Sequence, residues 1–122
     1  MKISKILYIF TISTLFSFYT YAQEPIIVEY NYQEYMSLPK TLNGLYTWQE
    51  AINTCKDLNA FGYSDWEVPS YPVLQVLYKK GIYKYNAPWS SAEHGNTAYS
   101  YMDRRIDAGK MSARSCICVR KK

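Results

Sequence analysis

Thr47-Trp48-Gln49-Glu50-Ala51-Ile52-Asn53-Thr54-Cys55-Lys56-Asp57-Leu58 carries both a helix start and a helix stripe. Thr47 and Glu50 form a capping box: the hydroxyl accepts from the Glu50 amide, and the carboxylate reaches back to the Thr47 amide. Behind the cap, Trp48, Ala51, Ile52, Cys55 and Leu58 recur at helical spacing and line one face. Gln49, Asn53, Lys56 and Asp57 take the opposite face, and Asn59 to Gly62 end the helix. Cys55 therefore points inward, toward whatever the helix packs on.

Downstream, Ser64-Asp65-Trp66-Glu67-Val68-Pro69 reads as a compact turn with one large apolar side chain. Ser70 is a second N-cap, with Pro72 in the first turn, where its missing amide costs little. Leu74, Leu77 and Tyr78 supply the apolar side of this second helix. Lys79 and Lys80 suit the negative end of its dipole, and Gly81 stops it. Beyond it the pattern changes period. Ile82–Tyr85 and Thr97–Tyr101 read as short strands, separated by Pro88-Trp89-Ser90-Ser91 and the turn His94-Gly95-Asn96. Met111 to Arg120 alternates, with Met111, Ala113, Ser115, Ile117 and Val119 on one face and Cys116 and Cys118 on the other. Upstream, Ile26-Ile27-Val28 is a β-branched run that Leu38-Pro39 ends, and Asn43-Gly44 is a turn signal. Two helices packed on a small, mainly antiparallel sheet with long loops make an α+β fold.

The N-terminus has three blocks: Lys2 and Lys5, an apolar run from Ile6 to Phe18, and small residues at Thr20-Tyr21-Ala22. This is the order of a secretory signal peptide, with residues 1–22 removed and Gln23 becoming the new N-terminus. Residues 23–122 then form a single domain with a modest core. The implied localisation is secreted, periplasmic or cell-surface, with no membrane association after cleavage. The chain has 14 basic and 10 acidic side chains, and two of the basic ones leave with the signal. So mild a balance excludes the strong basic face of a nucleic-acid binder. The aromatic content is distinctive: of 14 Tyr, all but three lie after residue 22, beside three Trp and a single Phe, Phe61. Tyr couples an apolar ring to a polar tip and suits half-buried surfaces and recognition patches.

Cys55, Cys116 and Cys118 are the only cysteines. In an oxidising compartment a disulfide is the default, and the odd count leaves one thiol over. Spacing alone leaves both C-terminal cysteines open as the partner of Cys55. Two residues apart, Cys116 and Cys118 are too close for a zinc knuckle, and the one His, His94, is distant in sequence. Asp103 and Asp107 have no clustered oxygen ligands, so calcium is poorly supplied. No metal or other cofactor is expected.

Taken in order, Trp48-x-x-Ala51-x-x-x-Cys55-x-x-Leu58, Gly62-x-x-Asp65-Trp66-x-x-Pro69-Ser70, Trp89-Ser90-Ser91 and Cys118-Val119-Arg120 resemble the Lcl C-terminal domain family, close to the FISUMP domains. The likeness spans roughly Leu45 to Arg120. It implies a C-type-lectin-like fold, an exported bacterial protein, and pairing of Cys55 with Cys118, which stands at the family's Cys-Val-Arg position. Glu67 stands where the family has an arginine, so the resemblance carries the scaffold further than the ligand.

No catalytic constellation emerges. His94 beside Glu93 lies in a turn with no nucleophile nearby, and Ser90-Ser91 lacks the Gly-x-Ser-x-Gly elbow. The expected function is a non-catalytic binding module for a glycan or a cell-surface protein. Trp89, Tyr99, Tyr101, Arg104 and Arg105 are the candidate ligand residues, expected together on one exposed face, where stacking and charge-assisted bonds would suit an acidic sugar. The other reading is a structural subunit of an extracellular assembly, with the Tyr-rich surface as a protein interface.

Overall fold

A computed structural model describes residues 23–122; the signal-peptide expectation, residues 1–22, lies outside the described residues. The chain runs β1 (Ile26–Tyr30), β2 (Gln33–Ser37), α1 (Trp48–Lys56), α2 (Tyr71–Lys79), β3 (Trp89–His94), β4 (Thr97–Tyr101), β5 (Arg105–Gly109) and β6 (Val119–Lys121). The strands make two three-stranded antiparallel sheets, β1-β2-β6 and β3-β4-β5. The architecture is a small α+β fold with two sheets rather than one.

α1 begins as its cap dictates. Thr47 Oγ1 accepts from the Glu50 amide at 3.3 Å, and Glu50 Oε1 accepts from the Thr47 amide at 2.8 Å. The helix buries Ala51 and Cys55 and ends at Lys56, two residues before Leu58, the last member of its apolar stripe. α2 buries Val73, Leu74 and Leu77, carries Pro72 in its first turn, and receives no side-chain cap from Ser70. Gly81 follows at φ +75°, the left-handed conformation that ends helices and suits glycine. α2 contacts β1 as well as β3 and β4, so it joins the two sheets through one core.

Three strand expectations need correction. Ile82–Tyr85 is a loop, with Tyr83 buried and its hydroxyl donating to the Tyr101 carbonyl at 2.6 Å. Trp89-Ser90-Ser91 opens β3 instead of forming a turn, with a register irregularity between Trp89 and Glu93. The Met111–Arg120 segment is regular strand only from Val119. Its alternation fails because Ser115 to Val119 are all buried. The backbone there threads between other segments. The Cys116 and Cys118 carbonyls accept from Leu42 and Leu38, the Ser115 carbonyl accepts from Trp89, and Val119 exchanges both bonds with Glu67. A segment covered on both faces has no solvent side on which to place polar residues.

The cross-link is Cys55–Cys118, with Cα atoms 5.5 Å apart, tying α1 to the C-terminal segment. Cys116 is a free, buried cysteine.

Candidate functional site

Antiparallel register builds the candidate face. Tyr99 lies opposite Asp107 and Tyr101 opposite Arg105, so all four side chains leave β4 and β5 on the same side. The other side of these strands carries Ala98, Ser100 and Ala108, all buried in the core. Arg105 lies over the Tyr99 ring, its guanidinium carbon 4.8 Å from the centroid, and its Nε is 3.2 Å from Asp107 Oδ1. Tyr71, the first residue of α2, sets its ring edge-on to Tyr99 and Tyr101 at 5.8 and 5.9 Å. Tyr78, two helical turns on, meets Tyr101 at 5.5 Å and Tyr83 at 5.4 Å. The result is a continuous row of tyrosine rings, half-buried at Tyr71, Tyr78, Tyr99 and Tyr101, ended by a cation over its outermost ring.

Electrostatics follow depth. Burial pushes the Tyr83 phenol up, and the neighbouring phenols of Tyr101, Tyr78 and Tyr71 push the same way. Tyr71 is also raised, chiefly by desolvation, while Arg105 pulls it down. The Tyr71 hydroxyl stays protonated at neutral pH and can donate and accept, whereas that of Tyr83 is already given to the Tyr101 carbonyl.

Of the five residues expected together, Tyr99, Tyr101 and Arg105 share the face. Arg104 is exposed in the adjoining turn between β4 and β5, its carbonyl accepting from the Met102 amide at 3.2 Å. Trp89 does not join them. It pairs with Ser100, points into the core with no exposed surface, and donates from Nε1 to the Tyr46 carbonyl at 2.8 Å. An indole whose ring and N–H are both consumed by the core has no face to offer a ligand. Tyr71 was missed. Its signal was the seven-residue spacing to Tyr78, which places both on one side of α2.

Elsewhere, ion pairs sit on aromatic rings. Lys110 Nζ lies 4.5 Å from the Trp48 ring centroid and 2.7 Å from Glu93 Oε1, so the Glu93 carboxylate is paired with Lys110. Arg120 lies 3.8 Å over Tyr63 and grips both oxygens of Asp65, at 2.6 and 3.1 Å. That grip lowers the Asp65 carboxyl below its ordinary range. An open groove of about 580 Å³ is lined by Tyr35, Ile52, Lys56, Trp66, Glu67 and Lys121 among others, none of them a residue of the tyrosine row.

The three cysteine sulfurs lie within 4.8 Å of one another, the one cluster among the described residues with metal-ligand chemistry. With Cys55 and Cys118 joined, only Cys116 keeps a thiol, and burial pushes that thiol up to about 12. No described helix is long and apolar enough to cross a membrane. No protein-family model matches the chain, and no curated protein matches it either.

Proposed function

We propose that the domain is a non-catalytic binding module of C-type-lectin-like character, exported from the cell, that recognises a glycan through the outer face of β4 and β5. The observation that carries this reading is the row of half-buried tyrosines ending in the Arg105–Asp107 pair. Ring edges and faces pack on the C–H surface of a sugar, while phenols, guanidinium and carboxylate supply the donors and acceptors that hydroxyls need. Held by neighbouring rings and by register, these groups lose little freedom on binding. Arg104, one residue away, adds a second cation suited to a sulfated or uronic ligand.

A glycan array probed with the purified domain tests this, followed by Arg105→Ala and Tyr99→Ala on any hit. Saturable binding that both variants weaken at least tenfold, with unchanged circular dichroism, supports the reading. Silence across neutral and acidic glycans, or hits indifferent to both variants, overturns it.

The second reading, a subunit of an extracellular assembly, is favoured by a different observation. The β1–β2 hairpin exposes Ile27, Tyr30 and Tyr32, the last at 97 %, and β1 lies at an end of its sheet. Concentration-dependent growth in sedimentation velocity, abolished by Tyr32→Ser, would favour it.

A further inference from the structure

Cys55 Sγ has two sulfur neighbours. One is bonded to it, Cys118; the other, Cys116, stands 3.5 Å away in non-bonded contact. We infer that Cys55 is a shared sulfur and that the cross-link can move from Cys118 to Cys116 by exchange within the buried cluster.

The step balances internally. The Cys116 thiol gives up its proton, and its thiolate attacks Cys55 Sγ. A Cys55–Cys116 bond forms, the Cys55–Cys118 bond breaks, and Cys118 leaves as the thiolate that takes a proton. One disulfide and one thiol exist before and after, so no external oxidant or reductant is needed. Forming a bond of about 2.05 Å requires the two sulfurs to close by roughly 1.5 Å. Because all three sulfurs lie within 4.8 Å of one another, Cys116 must also swing into line with the Cys55–Cys118 bond, a movement of its side chain and of the 116–118 backbone. Loop closure does not choose between the isomers, because the sequence separations are 63 and 61. Both cysteines hang from one segment, tied through the Cys116 carbonyl to Leu42 and the Cys118 carbonyl to Leu38.

Rate is set by access to the thiolate. The Cys116 sulfur is buried, with the Ala51 carbonyl 3.8 Å away, and its burial favours the protonated, unreactive thiol. Exchange therefore waits for local opening of the α1–C-terminal contact. Moving the link would shift Val119, which begins β6, and so loosen the pairing of β6 with β2 and with Glu67. The cluster thus offers two covalent states that differ at the edge of the first sheet.

Two measurements test the inference. Cys118→Ser, produced under oxidising conditions and assayed for thiols in denaturant, should contain none, because Cys116 captures Cys55. Two thiols would overturn it. For the unmodified protein, incubation in mild urea at alkaline pH, acid quench and maleimide labelling report which cysteine is free. Label should begin on Cys116 and spread to Cys118; label that stays wholly on Cys116 after prolonged incubation would also overturn it.

Discussion

Replacing Cys55 by Ser removes the cross-link whichever C-terminal cysteine it takes. The bond joins residues 63 apart, and in the chain-entropy model a loop of that length restricts the unfolded chain by about 4 kcal/mol. The buried serine hydroxyl adds a cost of about 1–2 kcal/mol, because the Ile117 carbonyl, 3.7 Å from the Cys55 sulfur, is too far to accept a normal hydrogen bond from it. A domain of about a hundred residues unfolds with an entropy near 0.2 kcal/mol/K, so 4 kcal/mol corresponds to a fall of roughly 20 °C in Tm. Thermal melting by circular dichroism under non-reducing conditions reads it directly. Wild-type protein treated with a phosphine reductant should melt near the Cys55→Ser variant. Cys116→Ser, which buries a hydroxyl without breaking the link, should lose only about 1–2 kcal/mol, or several degrees. A Cys55→Ser protein melting within about 5 °C of wild type, or above Cys116→Ser, would refute the reasoning.

Further outcomes follow from single contacts. Trp89→Ala empties a fully buried site and removes the indole bond to the Tyr46 carbonyl, which keeps its bond from the Arg114 amide, so chemical denaturation should show a loss of about 3–5 kcal/mol, far more than removing a surface ligand contact would cost. Thr47→Ala deletes half the capping box and should cost about 1 kcal/mol by the same method. The carboxyl of Asp65 is lowered by its bond to Arg120, so the pair contributes stability above the ordinary carboxylate range and loses it as pH falls through the folded value. Melting curves against pH should therefore drop more steeply below about pH 4 for wild type than for Asp65→Asn. Intact mass of the exported protein should correspond to a chain starting at Gln23; a membrane-bound species retaining residues 1–22 would contradict the signal-peptide reading.

Both helices were legible because each carries its own local signals. The Thr47/Glu50 box and the Cys55 stripe mark α1, and Pro72 with Gly81 brackets α2. The β1–β2 hairpin was not legible. Its turn places Asn31 and Tyr32 at φ +52° and +64°, a geometry normally announced by Asn-Gly, and here the second residue is a tyrosine. The C-terminal segment misled for a tertiary reason. Alternation predicts one wet face, and the strands and loops packed on both sides of Ser115–Val119 remove it. Trp89 misled in the opposite sense: beside turn-like Pro88 and Ser90 it read as a loop residue, yet it opens β3 with its ring in the core. Of the candidate face, the Tyr99/Tyr101 alternation was visible within one strand, whereas Arg105 joins it through β5, a strand not anticipated from the sequence, and Tyr71 reaches it only because α2 packs across β4.

Ligand-induced shifts in an amide NMR spectrum test the binding face most directly. Titration with the best array hit should perturb Tyr99, Tyr101, Arg104, Arg105 and Tyr71 first and most, saturating together. Perturbation centred instead on the groove of Tyr35, Trp66 and Lys121, or on the Tyr32 hairpin, with the β4–β5 face silent, would contradict the assignment.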